Sequence, residues 1–283
     1  MITCNLMGGL GNQIFQIFTT LACAIRSENI FMFSDAATLG SGKATIRHTY
    51  WDTFFARLKH VTTKVFPELN VIREKGFDYN EIDVNELKDQ NIMLFGYFQS
   101  YKYFEKEFNT ICALIKLTEL KLAVLNNNEY TSKFLQDTIS LHFRIGDYKK
   151  IQNHHPIMPY EYYEKALLNI ASNAQNVRHV LYFCEEDDIL DVLITVNRLK
   201  LKFKKLKFIR CSSKLSDWEQ MLLMSLCRYN VIANSSFSWW GAYFNSSDDK
   251  IVCYPATWFG EAAIATHDIK DLCPPEWVKI VTD

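Results

Sequence analysis

Short apolar runs alternate along this chain with longer stretches in which hydrophobic residues recur every three or four positions, and polar or glycine-bearing turns separate them. Runs of the first kind read as buried strands, and stretches of the second kind as amphipathic helices. The first pair is a strand over 2–6 and a helix whose apolar face carries Ile14, Phe15, Phe18, Leu21, Ala22 and Ile25. Further strands are predicted over 30–33 and 92–95, an aromatic-rich helix or loop over 47–58, and a helix over 102–115. After a polar stretch over 117–133, the types alternate regularly. Strands are predicted over 138–143, 177–184, 206–211, 229–233 and 250–254, and helices over 159–171, 189–199, 217–227 and 237–244. Such alternation predicts an α/β fold in which helices cover a parallel sheet and ligands sit at the carboxyl ends of the strands. The polar stretch is the expected boundary between an N-terminal domain, 1–133, and a second domain, 134–260. Residues 261–283 are expected to form a C-terminal segment that packs back on the first domain.

The turns at the strand ends hold the candidate chemistry. Met7-Gly8-Gly9-Leu10-Gly11-Asn12-Gln13 joins the first strand to the first helix, a βα turn of the kind that brings backbone close to a ligand. A dinucleotide fingerprint beginning at Gly9 fails at its third glycine, which is Ile14, and the nearest candidate for a ribose carboxylate is Asp35. The strand over 138–143 runs into Arg144-Ile145-Gly146-Asp147-Tyr148. His142 and Arg144 share one side of an extended segment, and a guanidinium can hold two phosphate oxygens in a fork. A structural Arg144–Asp147 pair across the glycine turn competes with that reading. Val231-Ile232-Ala233 then gives way to Asn234, Ser235, Ser236, Phe237 and Ser238 at a helix start. Either these hydroxyls and backbone N–H groups make an anion site, or Ser caps the helix in the ordinary way. The acidic run Glu185-Glu186-Asp187-Asp188 lacks the spacing of a metal site and reads as helix capping. The aromatic group Tyr97, Phe98, Tyr101, Tyr103 and Phe104 reads as a sugar platform or as core.

Composition narrows the class. With 283 residues, 48% hydrophobic and 22% charged, the chain is long and apolar enough for a globular protein with sizeable cores. A net charge of -1 gives no general reason to bind nucleic acid. Between Lys200 and Lys207 the chain reads Lys-Leu-Lys-Phe-Lys-Lys-Leu-Lys. This reads first as the solvated end of a strand or helix, with peripheral contact to acidic lipid as the alternative. Eight cysteines without a CxxC spacing suit buried small hydrophobes in a reducing compartment. No secretory pattern or bilayer-length apolar run is visible, and a cytoplasmic location is expected. Asn234-Ser235-Ser236 and Asn245-Ser246-Ser247 match the glycosylation sequon by accident on that reading.

Four motifs taken in order resemble those of the α-1,2-fucosyltransferases, a family with bacterial, viral and animal members. They are Gly8-Gly9-Leu10-Gly11-Asn12-Gln13-Ile14-Phe15-Gln16, Gly96-Tyr97-Phe98-Gln99-Ser100, His142-Phe143-Arg144-Ile145-Gly146-Asp147-Tyr148 and Asn234-Ser235-Ser236-Phe237-Ser238-Trp239-Trp240-Gly241-Ala242. The resemblance implies a GT-B fold, two Rossmann-like domains facing across a cleft, with a glycan acceptor in the first and GDP-fucose in the second. It implies an inverting, metal-independent hexosyltransferase that moves L-fucose to the 2-hydroxyl of a galactoside, of the bacterial or viral type. Arg144 would clamp the β-phosphate, His142 would touch the nucleotide, and Ser235, Ser236, Phe237 and Ser238, with Asn234 in the turn, would complete the diphosphate site. Gly9, Gly11, Asn12 and Gln13 would complete the binding set from the first motif. Asp147, His154 and His155 are the candidates for the general base. Two positions depart from the family pattern. Ile145 stands where a second arginine is common, and Gln220 stands where an acidic residue is usual, with Glu219 beside it as the substitute contact to guanine. That departure keeps open a related transferase with another sugar nucleotide or acceptor. The alternative outside enzymology is an inactive carbohydrate- or nucleotide-binding protein.

Overall fold

The computed structural model describes residues 1–40, 46–174 and 176–282. The chain divides into two compact units, Met1–Leu120 with Thr266–Pro274 and Lys121–Ala265 with Pro275–Asp283. The division falls between Leu120 and Lys121, within the helix Leu117–Asn126 and ahead of the asparagine-rich turn that follows it. Leu117–Asn126 is a helix with four leucines, residues that favour helix, and it stops where the asparagines begin; Ser132–Gln136 is a second, short helix beyond the turn. Within the second unit, Val124, Tyr130 and Leu135 are buried, and the Tyr130 hydroxyl donates to the Arg210 carbonyl at 3.4 Å.

The first unit holds a three-stranded parallel sheet in the order Ile2–Cys4, Ile92–Phe95, Asn70–Arg73. The helix Leu10–Arg26 follows the first strand and buries Ile14, Phe15, Ile17, Phe18 and Leu21 completely. Phe104 packs on Phe18 at 5.6 Å and on Phe15 at 5.9 Å. Phe98, Tyr103 and Phe104 are therefore core, and of that aromatic group only Tyr97, 40% exposed, presents a large open ring face. The expected helix over 102–115 divides into a 3-10 turn, Tyr101–Tyr103, and a helix, Phe108–Leu114. The expected strand over 30–33 shrinks to Phe33–Ser34, paired with Thr62–Thr63. Residues 47–58 hold the short strand Arg47–His48 and the start of the 3-10 helix Ala56–Val61. Asp271 ties the 266–274 segment into this unit. Its carboxylate pairs with Lys102 and accepts from the Tyr79 N–H at 3.3 Å, while its carbonyl accepts from the Ser100 hydroxyl at 2.6 Å.

The second unit is built on a six-stranded sheet, parallel throughout. Its order is Lys207–Arg210, His179–Phe183, Thr138–His142, Tyr229–Val231, Val252–Pro255, Val278–Ile280. Numbered along the chain within this unit, the strands run 3-2-1-4-5-6, the doubly wound order whose direction of growth reverses between strands 1 and 4. The central strand Thr138–His142 is buried along its whole length. Its one hydroxyl in mid-strand is satisfied across the reversal. The Asn230 amide donates to Ser140 Oγ at 2.7 Å and to the Met224 carbonyl at 2.8 Å, and the Asn245 amide donates to Asn230 Oδ1 at 2.8 Å. A buried polar group costs stability unless paired, so this network fixes which strands meet at the reversal. Helices Asp217–Leu226 and Ser236–Tyr243 meet closely at Gly241, where a Cβ would lie 2.9 Å from the Met224 Cβ. Trp239 and Trp240 are wholly buried beside that contact. Among the described residues no helix is long and apolar enough to cross a membrane.

Candidate functional site

Open parallel sheets bind ligands outside the carboxyl ends of their strands, where the order reverses. In the second unit that place is defined by residues after Thr138–His142 and after Tyr229–Val231, which pair directly, Leu141 opposite Val231. These segments carry His142 and Arg144 on one side and residues 234–238 on the other. Side-chain alternation sends His142 and Arg144 to one face. Phe143 and Ile145 turn the other way, into a cavity of about 270 Å³ lined also by Ile157, Met158, Tyr163, Lys149, Asp191 and Thr195. Neither His142, Arg144 nor residues 234–238 line that cavity, so it is separate from the site at the strand ends. Ile145, 8% exposed, therefore serves packing and supplies no second cation.

Arg144 is the centre of the charge arrangement. Nη1 contacts Glu185 and Nη2 contacts Asp147. Its guanidinium also lies 4.9 Å from the centre of the Tyr148 ring. Burial disfavours its charge, but Asp147, Tyr148 and Glu185 outweigh burial and hold the proton more firmly than usual. Arg144 is thus a permanent cation whose fork is met by two carboxylates. The Arg144–Asp147 pair expected as the structural alternative is present, and Glu185 joins it. The acidic run, expected to cap the next helix, instead makes ion pairs and a loop hydrogen bond. Glu185 meets Arg144, Glu186 pairs with Arg210 at 2.6 Å, and Asp188 accepts from the Gly146 N–H at 2.6 Å and pairs with Lys149 at 2.9 Å. Asp188 makes no side-chain cap bond at the helix it precedes. Among the described residues no group of three or more His, Cys, Asp or Glu is arranged to hold a metal ion.

His142 is buried, and burial, reinforced by the Arg144 charge, pushes its imidazole down to about 3. It is neutral at physiological pH, and its Nδ1 has no hydrogen-bond partner among the described residues. Its ring lies 5.5 Å from that of Phe237 in the first turn of helix Ser236–Tyr243. That turn has N–H groups without intrahelical acceptors and a partial positive charge. Ser235 is the N-cap residue, yet its hydroxyl makes no cap hydrogen bond. The two motifs are also joined by Tyr148, whose hydroxyl donates to the Asn234 carbonyl at 3.0 Å.

Other predicted site residues have structural duties. The Asn234 amide donates to the carbonyls of Pro156 at 2.9 Å and Trp258 at 3.1 Å, holding two loops to the turn. Ser238 is buried, with its hydroxyl turned back toward the carbonyls of Ala233 and Ser235 at 3.5 and 3.4 Å. Glu219 accepts from the backbone and hydroxyl of Ser216 at 2.8 and 2.6 Å, closing a capping box. Gln220 donates to the Leu215 carbonyl at 2.9 Å. His154 is exposed, while His155 stacks on Tyr148 with ring centres 4.9 Å apart. Asp147 is half exposed and engaged by Arg144.

Gly9, Gly11, Asn12 and Gln13 belong to the first unit. Gly9 is the N-cap of helix Leu10–Arg26, in an extended conformation with open space around it. The Gln13 amide donates to the carbonyls of Gly8 at 3.0 Å and His48 at 2.8 Å and is 1% exposed, so it braces the turn. Asn12 accepts from Gln99 at 2.9 Å, which links the first glycine motif to the 96–100 segment. Sequence reasoning missed Glu185 and Tyr148 as contacts of Arg144. The signal for Glu185 is the end of the neighbouring strand, since His142 pairs with Phe183 and residues two further on meet again.

The model of glycosyl transferase family 11 matches residues 1–281. The O-antigen biosynthesis glycosyltransferase WbnK of Escherichia coli is 28% identical over 316 residues, covering 99% of this chain and 100% of its own. An alpha-1,2-colitosyltransferase of Escherichia coli is 26% identical over 304 residues, covering 99% of each. Among solved structures, an Arabidopsis thaliana FUT1 mutant in complex with GDP aligns with a TM-score of 0.49 at 11% identity, covering 96% of this chain and 74% of its own. POFUT1 in complex with GDP aligns with a TM-score of 0.47 at 11% identity, covering 89% and 97%.

Proposed function

The chain belongs to glycosyl transferase family 11, and from that premise we propose an inverting GT-B transferase that moves L-fucose from GDP-fucose to the 2-hydroxyl of a galactoside. The observation that carries the reading is the reversal of strand order in the second unit, which brings the His142–Arg144 segment beside the first turn of helix Ser236–Tyr243. A permanent guanidinium and a helix N-terminus on either side of one crevice suit a diphosphate. As the acceptor oxygen attacks the anomeric carbon, the bond to the β-phosphate oxygen breaks and negative charge builds on GDP. Arg144 releases a carboxylate to meet that charge, and the helix N-terminus adds its dipole; groups already oriented toward developing charge give the largest rate gains. His142, being neutral, can donate or accept one hydrogen bond without adding charge. The acceptor proton passes to a base drawn from Asp147, His154 and His155. The reading invokes no resident metal ion.

A second donor is favoured by one observation, the relative named as an alpha-1,2-colitosyltransferase. Colitose is fucose without its 3-hydroxyl, so both donors place the same diphosphate on Arg144. Calorimetry with GDP and UDP, followed by product analysis with GDP-fucose and GDP-colitose on lactose, separates the readings. Arg144→Ala should lower turnover about 10²–10³-fold, the loss typical of removing one preorganised charge-stabilising donor, with transfer persisting in excess EDTA. Turnover within tenfold of the parent, or tighter binding of UDP than GDP, overturns the proposal.

A further inference from the structure

Helix Ile189–Lys202 presents an unusual outer face. Its inner face buries Val192, Val196 and Leu199 completely. At about 100° per residue, Leu190, Ile194 and Leu201 lie within an arc of about 40° on the opposite side. They are 76%, 66% and 75% exposed. The outermost line of a solvated helix is ordinarily its most polar. Here three large aliphatic side chains occupy it.

Charge changes abruptly at the carboxyl end of the same helix. From residue 192 to residue 216 the chain contains no Asp or Glu, but it contains Arg198, Lys200, Lys202, Lys204, Lys205, Lys207, Arg210 and Lys214. Arg198 pairs with Glu161 at 3.7 Å, Lys202 with Glu164 at 2.9 Å and Arg210 with Glu186 at 2.6 Å. Lys200, Lys204, Lys205 and Lys207 are exposed and make no ion pair among the described residues. In a chain of net charge -1 this is a local excess. At the amino end Asp188 and Asp191 share Lys149 at 2.9 and 2.7 Å, and Glu185 and Asp147 share Arg144, so that end keeps a negative excess and the basic charge is confined to the carboxyl end.

We propose that this face docks on an anionic lipid bilayer. Leu190, Ile194 and Leu201 enter the boundary between headgroups and acyl chains, and Lys200, Lys204, Lys205 and Lys207 meet lipid phosphates. The helix carries an apolar outer line, and Lys200 in its last turn with Lys204, Lys205 and Lys207 just beyond its carboxyl end supplies the cationic group, the pairing that such a surface requires. Nucleic acid offers anionic charge but no apolar layer for the aliphatic side chains. The site is separate from the strand ends that carry Arg144, and the inference stands whichever sugar is transferred.

The test is co-sedimentation of the full chain with phosphatidylcholine vesicles, with and without phosphatidylglycerol, at low and high salt. Binding is expected only with phosphatidylglycerol and should weaken as salt rises. Lys204→Gln with Lys205→Gln should lower partitioning about 25-fold, from about fivefold per lysine. Leu190→Glu, Ile194→Glu and Leu201→Glu together should abolish it while leaving circular dichroism and transfer to a soluble acceptor unchanged. Failure to bind anionic vesicles at low salt overturns the proposal, as does equal binding by the glutamate variant. Self-association without vesicles that the glutamate variant abolishes also overturns it, by assigning the face to a second copy of the chain.

Discussion

Replacing Glu185 by glutamine isolates what the carboxylates around Arg144 do. Both edges of the guanidinium are occupied, one by Glu185 and one by Asp147, and these side chains are 57% and 50% exposed. Exposed ion pairs contribute about 0–1 kcal/mol each. Glu185→Gln keeps the side-chain shape and should therefore shift unfolding by less than about 1 kcal/mol. Ligand binding is more sensitive. A diphosphate seated on Arg144 must break one carboxylate contact and then tolerate that charge nearby. Repulsion between unit charges at about 4 Å is about 1 kcal/mol in bulk water, the lower limit that applies once the carboxylate swings into solvent. Together the two terms give about 1–2 kcal/mol, so GDP should bind about five- to thirtyfold more tightly to the variant. Titration calorimetry with GDP measures this directly, and the gap between variant and parent should narrow as salt rises. Equal or weaker GDP affinity in the variant, with unchanged melting, would refute the competition and make Glu185 a support that orients Arg144.

Gly8→Ala and Gly9→Ala should differ sharply although the residues are adjacent. Gly8 has φ +76 and its Cβ would lie 2.4 Å from Asn12 Nδ2, whereas Gly9 is extended with nothing nearby; urea unfolding should show a loss of about 1–3 kcal/mol for the first and under about 1 kcal/mol for the second. Burial pushes the Glu74 carboxyl up from its ordinary 4.5 to about 7, against the hydrogen bonds it accepts from the Tyr97 and Phe98 N–H groups. The folded chain thus keeps a proton that the unfolded chain releases, so this group makes stability fall as pH rises from 4.5 to 7, by up to about 3 kcal/mol, and Glu74→Gln should flatten that slope relative to the parent. His142 acts in the opposite sense: its imidazole is depressed to about 3, so its contribution is fully present above 6.5 and is lost as pH falls toward 3, and a slope unchanged in Glu74→Gln would refute the first assignment.

The parts of the fold legible in the sequence are those where local pattern and burial agree. Ile139, Leu141, Val180 and Val231 sit in apolar runs short enough only for strands, and all are fully buried. Strand Asn70–Arg73 escaped because it is an edge strand whose residues are mostly exposed, Val71 by 44%, leaving no apolar run to read. The helices after Leu117 escaped because three consecutive asparagines outweighed the helix formers around them. At the site, Arg144 and the serine-rich turn were legible as motifs. What was hidden was long-range pairing: Glu185 reaches Arg144 because neighbouring parallel strands end in register, a fact of topology rather than of local spacing. The same limit applied to Ser238, whose hydroxyl belongs to the motif but turns inward with the helix.

On the proposed reading, the neutrality of His142 settles how charge is divided at the strand ends. An imidazolium there would lie beside a permanent guanidinium, and burial makes that arrangement costly enough to push the proton off. Ile145 removes the other conceivable cation, because the position carries an aliphatic side chain that lines the cavity away from His142 and Arg144. Positive charge at the reversal therefore comes from Arg144 and the dipole of helix Ser236–Tyr243. These two contributions do not titrate near neutrality, whereas Glu185 and Asp147 hold the guanidinium in place until a more highly charged anion arrives. A diphosphate carries more charge on adjacent oxygens than either carboxylate and can use the fork in two places at once. On that reading, the exchange of partners on Arg144 would favour a diphosphate over a single carboxylate or a neutral sugar, and so the nucleotide end of the proposed donor.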